Sequence, residues 1–285
     1  MRVTGKLREL ERLVDAWKRR GETIGFVPTM GSLHEGHLSL VRHAKKENRK
    51  TVVSLFVNPL QFGPDEDYAR YPRDPARDRA LLKKEKADLV YAPSVKDFYP
   101  PGFQTAVAVK ELSRSLCGAR RPVHFAGVAT VVLKLLNAVR PDAVYLGQKD
   151  YQQFRVVERM VRDLGVPVSV KMAPIVREKD GLAMSSRNIF LSPAERRQAP
   201  HLHRALEKGR ALIESGVKNA CDARKAALRI LSRASGARLD YLEIVDAVTL
   251  RPVVKLTEGA RILIAAAVFF GKTRLIDNVL AEVKK

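Results

Sequence analysis

The chain has 285 residues, of which 46% are hydrophobic and 29% are charged, and its formal net charge at pH 7 is +21. This composition is typical of a folded globular protein and excludes a disordered chain, and the longest apolar run, residues 262–270, is too short to cross a bilayer. The positive charge favours a nucleic-acid partner, but acidic residues alternate with the basic ones and no RNA-binding pattern of interleaved aromatic residues occurs. We therefore expect no specific nucleic acid and no membrane partner.

The cellular compartment is predicted from the chain start and from the cysteines. The first residues lead directly into a charged amphipathic pattern, which predicts that no signal peptide is present. Cys117 and Cys221 form no paired motif, which favours a reducing environment. We expect a cytoplasmic protein.

The first predicted elements are a helix over residues 7–17, ended by Gly21, and a buried strand over residues 24–27. The stretch 26–38 has the sequence FVPTMGSLHEGHL, and apolar residues recur at helical spacing from Leu38 onward. A strand that turns through glycines into a helix directs backbone N–H groups and the positive end of the helix dipole at one point, an arrangement that binds phosphate. The loop with His34 and His37 therefore predicts a nucleotide site.

The two histidines are also compatible with other kinds of site. The dinucleotide fingerprint Gly-x-Gly-x-x-Gly is absent, and the zinc-protease helix needs histidines four residues apart, whereas His34 and His37 are three apart. Two capping or solvent-exposed histidines would be an ordinary alternative. However, His-x-Gly-His at a strand-to-helix turn resembles the signature of the adenylate-forming nucleotidyltransferases.

Polar residues follow the next predicted strand, residues 51–57, in the segment that contains Asn58 and Gln61. Ligands of open α/β sheets lie beyond the carboxyl ends of the strands, so these two side chains are placed for that crevice. The alternative is that they are turn residues between prolines. Further elements are predicted as a helix over 75–85, a strand over 87–92, an edge strand over 104–109 and a helix over 124–139.

A second strand–glycine–helix junction begins at Gly147, after a predicted strand over residues 143–146. Lys149 suits phosphate or carboxylate, and Asp150 suits a ribose hydroxyl, although both would also fit a solvated helix start. After a last strand over 166–173, the segment 177–188 contains Ser185, Ser186 and Arg187. These could clamp a triphosphate, or they could form a plain loop.

The pattern changes near residue 176. Ser192, Pro193 and Glu195 predict a helix start, two helices follow, and strands are predicted over 239–245, 261–270 and 274–276. The glycine that a P-loop ending at Thr273 would need is replaced by Ala266. The sequence predicts an α/β protein, with a Rossmann-like parallel-sheet nucleotidyltransferase domain over 1–175 and a smaller, lid-like C-terminal α/β (α+β) domain over 176–285.

Four blocks in this order, residues 28–37, 56–63, 147–153 and 184–188, together with residues 273–278, resemble the pantoate–β-alanine ligase (pantothenate synthetase) family. The resemblance covers about residues 24–279. It implies ATP-dependent condensation of pantoate with β-alanine to pantothenate, AMP and pyrophosphate through a pantoyl-adenylate intermediate. It also implies Mg²⁺ bridging the phosphates of ATP, and a homodimer.

The resemblance also assigns site residues. The catalytic positions are His37, His34 and Lys149. The ATP-binding positions are Met30, Gly31, His34, His37, Gly147, Lys149, Asp150, Val176, Met184, Ser185, Ser186 and Arg187. The pantoate and β-alanine positions are Gln61, Gln153, Asn58 and Tyr71.

The chain departs from the family pattern in two places. Arg77 and Asp78 stand where relatives often have two acidic residues, so Asp78 is the one candidate there for a metal ligand. Val123 replaces the usual glycine of Arg-Pro-Gly-His-Phe, and we expect the larger residue to restrict that loop. Arg121 and His124 of this motif are therefore left out of the expected site.

Two rival functions remain open from the residues alone. Another nucleotidyltransferase would keep His34 and His37 but lack Gln61 and Gln153 in these contexts. An RNA-binding module would account for the net charge but not for the missing RNA-binding signature.

Overall fold

The computed structural model describes residues 1–64 and 66–284. The strands are β1 (Arg2–Thr4), β2 (Ile24–Thr29), β3 (Lys50–Leu55), β4 (Leu89–Tyr91), β5 (Ala143–Gly147), β6 (Ser169–Ala173), β7 (Ala237–Asp246), β8 (Arg261–Phe270) and β9 (Thr273–Glu282). The helices are α1 (Leu7–Arg19), α2 (Glu35–Glu47), α3 (Pro75–Lys84), α4 (Val95–Phe98), α5 (Leu116–Arg120), α6 (His124–Val139), α7 (Tyr151–Asp163), α8 (Pro193–Gln198), α9 (His201–Glu214) and α10 (Ala220–Leu231). Short 3-10 turns cover Pro59–Gln61, Gln148–Asp150 and Ser186–Phe190.

The chain divides into two compact units. The first comprises Met1–Ser113, Arg121–Gln148 and Gln153–Pro174. The second comprises Arg114–Arg120, Lys149–Gln152 and Ile175–Lys285. The two short segments of the second unit interrupt the first in sequence, a feature that the hydrophobic pattern does not reveal.

The first unit is built on a six-stranded parallel sheet with the order β1-β4-β3-β2-β5-β6. Its central strands are nearly continuous apolar runs because helices cover both faces of such a sheet. β2 pairs with β3 on one side and with β5 on the other, so the strand order reverses at β2. In open α/β sheets the crevice at this reversal, beyond the carboxyl ends of the strands, is where ligands bind.

Two features of this sheet differ from the sequence-based expectations. β1 was not predicted, because it has three residues and is fixed by pairing with the distant β4. The predicted edge strand over 104–109 is wrong: these residues form no strand. The N–H of Val107 donates instead to the Thr130 side chain of α6 at 2.9 Å. The alternating polar and apolar residues predicted a strand, but this segment pairs with no other strand in the part of the chain that the structure describes.

The second unit contains a three-stranded antiparallel sheet with the order β7-β8-β9. Leu206 and Ile213 of α9 and Ala227 of α10 share an apolar core with Ile264 of β8 and Val279 of β9. The predicted start of α8 is confirmed: Ser192 caps the helix, Pro193 is its first residue and the Glu195 side chain accepts from the N–H of Ser192 at 2.7 Å. The predicted α/β class, with a parallel sheet and a smaller antiparallel part, is confirmed.

Across the described residues, every helix is either too short or too polar to span a bilayer.

Candidate active site

The loop after β2 carries the two histidines, and both serve to start α2. His34 is the residue that precedes the helix, and its Nδ1 accepts the N–H of Gly36 at 3.2 Å. The N–H of His34 in turn donates to Nδ1 of His37 at 3.4 Å. A Cβ at Gly36 would lie 2.9 Å from Cε1 and 3.0 Å from Nδ1 of His34, so a larger residue would displace the His34 ring.

This capping arrangement has a chemical consequence. Because Nδ1 of each ring accepts a backbone N–H, the proton of each neutral imidazole is carried on Nε2. The ring centroids are 4.1 Å apart, so two N–H donors are held side by side at the N-terminus of α2. The helix dipole and the two donors together favour an anion at this position.

Asp78 of α3 supports the same loop through hydrogen bonds to its backbone. It is buried, and its two carboxylate oxygens accept the N–H groups of Ser32 and Leu33, both at 2.8 Å. These bonds hold the backbone in the left-handed region, where Gly31 has φ +82° and Ser32 has φ +51°. A Cβ at Gly31 would lie 2.9 Å from Oδ2 of Asp78. This geometry makes Asp78 the support of the histidine loop, with both oxygens already bonded.

Gln61 is held with its side chain in a fixed direction at the 3-10 turn after β3. Its Oε1 accepts from Nδ2 of Asn58 at 3.1 Å, and its Nε2 lies 3.1 Å from the sulfur of Met30. Asn58 is 1% exposed and also donates to the carbonyl of Gly127 at 3.0 Å, while its Oδ1 accepts from the N–H of Leu60 and the hydroxyl of Tyr99. Asn58 therefore fixes the orientation of the Gln61 side chain through a hydrogen bond.

Burial also favours the donor role of Tyr99. It raises the pKa of the phenol above its ordinary value, so the hydroxyl keeps its proton and donates it to Asn58.

The backbone of Gln61 has its own support, which sequence reasoning missed. The carbonyl of Gln61 contacts Nδ1 of His124 at 2.9 Å and accepts from Nη2 of Arg121 at 3.2 Å. Arg121 also pairs with both oxygens of Glu66. Burial raises the pKa of Glu66, but the ion pair with Arg121 outweighs it and the pKa ends below its ordinary value. The family motif Arg-Pro-x-His-Phe, which contains Arg121 and His124, is the sequence feature that could have revealed this support.

Val123 does not strain that motif. It is 52% exposed and precedes α6 with φ −87° and ψ −15°, a conformation that any L residue adopts. The expected restriction of the loop by a residue larger than glycine therefore has no counterpart in the backbone at this position.

The other expected residues of the first unit lie at several places. Gly147 ends β5, beside β2 at the reversal of strand order, and a Cβ there would meet no atom within 4 Å. Gln153 lies in the first turn of α7 and is half-buried. Tyr71 is buried and packs edge-on against Phe62, with ring centroids 6.1 Å apart.

In the second unit, Lys149 lies in the 3-10 turn Gln148–Asp150, and its Nζ is 3.5 Å from Oδ1 of Asp150. The carbonyl of Lys149 accepts from Nδ2 of Asn278 at 2.9 Å. The lysine is thus fixed at its backbone, while its side chain has a carboxylate neighbour.

The remaining expected residues of the second unit lie on and after a tight turn. The N–H of Met184 donates to the carbonyl of Val176 at 3.0 Å, which closes the segment 176–184. Ser185 Oγ accepts the N–H of Arg187 at 3.2 Å and so starts the 3-10 turn Ser186–Phe190. Ser185 therefore acts as a cap, and Ser186 and Arg187 are presented by the turn that it begins.

The structure thus brings together some of the expected residues within each unit. In the first it joins His34 to His37, and Gln61 to Met30 and Asn58. In the second it joins Lys149 to Asp150 and Val176 to Met184.

Comparisons with known proteins bear on what this arrangement does. The sequence profile of the family described as pantoate-beta-alanine ligase matches residues 2–280. Curated relatives named pantothenate synthetase are 53% identical over 283 residues in Caldicellulosiruptor saccharolyticus, covering 99% of this chain and 100% of the relative, and 52% identical over 280 residues in Thermotoga neapolitana, covering 98% and 99%.

Solved structures agree with the sequence matches. A pantothenate synthetase from Thermus thermophilus superposes with a TM-score of 0.92 at 50% identity and covers 100% of both chains. A pantoate-beta-alanine ligase from Francisella tularensis, complexed with beta-gamma ATP and beta-alanine, has a TM-score of 0.81 at 35% identity and covers 98% of this chain and 97% of its own. With a family profile over nearly all its residues and relatives above half identity over nearly all their length, the chain belongs to the pantoate–β-alanine ligase family.

Proposed function

We propose that this chain condenses pantoate with β-alanine in two steps, using ATP and releasing AMP and pyrophosphate. In the first step a pantoate carboxylate oxygen attacks the α-phosphorus of ATP, and the bond to the β-phosphate oxygen breaks to release pyrophosphate. In the second step the amine of β-alanine attacks the carbonyl of pantoyl adenylate and expels AMP. The observation that carries the proposal is the pair of histidine rings at the start of α2, 4.1 Å apart, with Nδ1 of each ring accepting a backbone N–H.

The histidines address the main difficulty of the first step. A carboxylate is a weak nucleophile toward a polyanion, and charge builds up on the phosphate oxygens as the new bond forms. Donors held in place before the reaction stabilise that charge without having to reorganise. We assign His37 and His34 to transition-state hydrogen bonding, because pyrophosphate needs little protonation to leave.

The other nucleotide contacts follow the resemblance. Lys149, Ser186 and Arg187 would supply positive charge and donors to the phosphates. Gly147 and Asp150 would lie near the ribose, and Val176 near the adenine. The proposed ATP-binding set is completed by Met30, Gly31, Met184 and Ser185. Ser185 starts the turn that carries Ser186 and Arg187, which supports the phosphate-binding role proposed for those two residues.

For pantoate we propose Gln61 and Gln153 as the residues that hold its hydroxyls and carboxylate. Tyr71 stays a predicted substrate residue. Asn58 is better assigned a supporting role, because it is 1% exposed and its amide already makes four hydrogen bonds, to Gln61, Gly127, Leu60 and Tyr99.

Mg²⁺ stays a prediction. Among residues 1–64 and 66–284 there is no group of three His, Cys, Asp or Glu side chains that could hold a metal ion, and both oxygens of Asp78 accept backbone N–H groups. In the described part of the chain no three-ligand site is therefore available, and we expect a magnesium ion to take most of its ligands from the phosphates of ATP and from water.

The homodimer, the cytoplasmic location, the lack of a specific nucleic-acid partner and the division into domains 1–175 and 176–285 also stay predictions. Of the rival functions, the general nucleotidyltransferase gives no reason for the rigid support of Gln61, and the RNA-binding module gives none for the paired histidines.

The substrate assignment of Gln61 can be tested with Gln61→Ala. A hydrogen bond to a charged group contributes about 1.5–3 kcal/mol, so we expect the KM for pantoate to rise by about 10- to 100-fold and the KM for ATP to change little. Steady-state kinetics with each substrate varied in turn measures both values.

The matched control is Gln104→Ala, because Gln104 is exposed in the same unit. It should leave both constants unchanged. Equal losses for pantoate and ATP in Gln61→Ala would mean that Gln61 only supports the fold.

A further inference from the structure

Two neighbouring residues of β9, Asp277 and Asn278, each hold a different segment of the second unit. Both are 3% exposed. Successive side chains of a strand point to opposite faces of the sheet, so the pair reaches to both sides of β9. One side meets the segment that leads to Ser186 and Arg187, and the other meets Lys149.

On the first side, Asp277 binds the guanidinium of Arg177 through two bonds of 2.7 and 3.0 Å. Arg177 Nη1 also donates to the carbonyl of Gly181 at 3.1 Å, across the tight turn that Val176 and Met184 close. Such a two-bond pair fixes orientation as well as distance.

The turn is then linked to the residues that follow it. The Nδ2 of Asn188 donates to the carbonyl of Ala183 at 3.2 Å and to Oε1 of Glu178 at 3.1 Å. Ser186 and Arg187 lie between these attachment points. Their placement in the second unit therefore depends on the turn that Asp277 anchors.

On the second side, Nδ2 of Asn278 donates to the carbonyl of Lys149 at 2.9 Å. The N–H of Asn278 donates to Oδ1 of Asp277 at 2.8 Å, so the two side chains are also linked to each other. A short path of hydrogen bonds therefore runs from Lys149 through Asn278 and Asp277 to Arg177.

Core packing alone does not explain an aspartate here. Leu275, Val279 and Ala281, the residues that share its face of β9, are apolar and belong to the core of the second unit. Burying an ion pair gives little or no net stability compared with apolar side chains of similar volume. The pair does provide a fixed geometry, which apolar packing does not.

We infer that Asp277 and Asn278 are positioning residues that set the separation between Lys149 and the Ser186–Arg187 turn. The inference rests on the proposed function, in which Lys149, Ser186 and Arg187 donate to the phosphates of ATP. Two groups that must meet one triphosphate gain from a common anchor, because small misplacements of catalytic groups are costly in rate.

The test is a double-mutant cycle on adenylate formation, measured as pyrophosphate release in rapid-quench experiments with ATP and pantoate. We expect the single variant Asn278→Ala to slow this step by about 10-fold or more. The single variant Lys149→Ala should slow it by a larger factor, because the donor itself is lost. In the double variant, Asn278→Ala should add almost nothing to the loss from Lys149→Ala, because the positioned group is gone. The KM for pantoate should stay unchanged in Asn278→Ala.

A purely structural role would give a different pattern. Asn219→Ala is the matched control, because Asn219 caps α10 in the same unit through a 2.8 Å bond to the N–H of Cys221. It should lower the melting temperature and leave the rate of adenylate formation unchanged. If Asn278→Ala does not fold, Asn278→Leu keeps a similar side-chain shape without adding a charge and removes the donor to the Lys149 carbonyl.

The outcomes separate the two levels of the proposal. Losses that multiply in the double variant would overturn the positioning role while leaving Lys149 as a phosphate donor. A Lys149→Ala variant with normal adenylate formation would overturn the proposed role of Lys149, and the inference with it. The same cycle with Asp277→Asn and Arg187→Ala tests the other half of the pair.

Discussion

We expect His37→Ala to form pantoyl adenylate about 10²–10³-fold more slowly, as for removal of one preorganised donor to a developing negative charge. The fold should persist, because His34 still caps α2 through its bond to the N–H of Gly36. The variant loses the 3.4 Å bond from the N–H of His34 and the contact with the His34 ring. Single-turnover measurements of pyrophosphate release, combined with thermal unfolding, check both parts.

A histidine on the same helix provides the control. His43 lies on α2 and is exposed, so His43→Ala should keep the rate and the stability of the parent protein. Adenylate formation within a few-fold of normal in His37→Ala would contradict the role assigned to the ring. His34→Ala is less informative, because loss of an N-cap costs about 0.5–2 kcal/mol of stability by itself.

The second large effect is expected at Gly127 of α6, where the helix passes close to the turn that carries Gln61. A Cβ at Gly127 would overlap the carbonyl oxygen of Leu60 and lie 2.6 Å from the nitrogen of Gln61. Both are backbone atoms, so Gly127→Ala must push the turn away. We expect a loss of about 1–3 kcal/mol of stability from overpacking, and a raised KM for pantoate because Gln61 moves.

Denaturant unfolding and pantoate kinetics measure these two effects. Gly209→Ala is the matched control: Gly209 also lies within a helix, and the nearest atom to its added Cβ would be a side-chain atom, Cδ1 of Ile264 at 3.2 Å, which needs to move by only a few tenths of an ångström. Because alanine is about 0.5–1 kcal/mol more favourable than glycine inside a helix, the control should keep or gain stability. A Gly127→Ala protein with normal stability and normal pantoate kinetics would refute the proposed link between α6 and Gln61.

The parts of the fold that the sequence predicted depend on local signals. The loop after β2 combines an apolar strand, two glycines and a helical repeat within a few residues, and each of these signals acts over neighbouring positions. The cap at Ser192 was predicted for the same reason. Hydrophobic periodicity could not predict strand β1, because β1 is fixed by pairing with the distant β4. Nor could it assign the segments Arg114–Arg120 and Lys149–Gln152 to the second unit, because their partners lie far away in the chain.

The same distinction holds for the site. His34 and His37 could be recognised because their spacing and the glycine between them are local features. The supports could not: Asp78 reaches Ser32 and Leu33 across more than 40 positions of sequence, and Arg121 and His124 reach Gln61 across about 60. Asn58 was expected to touch substrate because it is polar and follows a strand, and only its burial and bonding partners point to a supporting role.

Pyrophosphate release from ATP and pantoate without β-alanine tests the central claim most directly. The two-step mechanism predicts a stoichiometric burst of pyrophosphate with pantoate alone, because the adenylate forms and waits for an amine. Adding β-alanine should convert the burst into sustained turnover with pantothenate and AMP as products. Pyrophosphate release that requires β-alanine from the start, or no release by folded protein, would contradict the adenylate mechanism proposed for this chain.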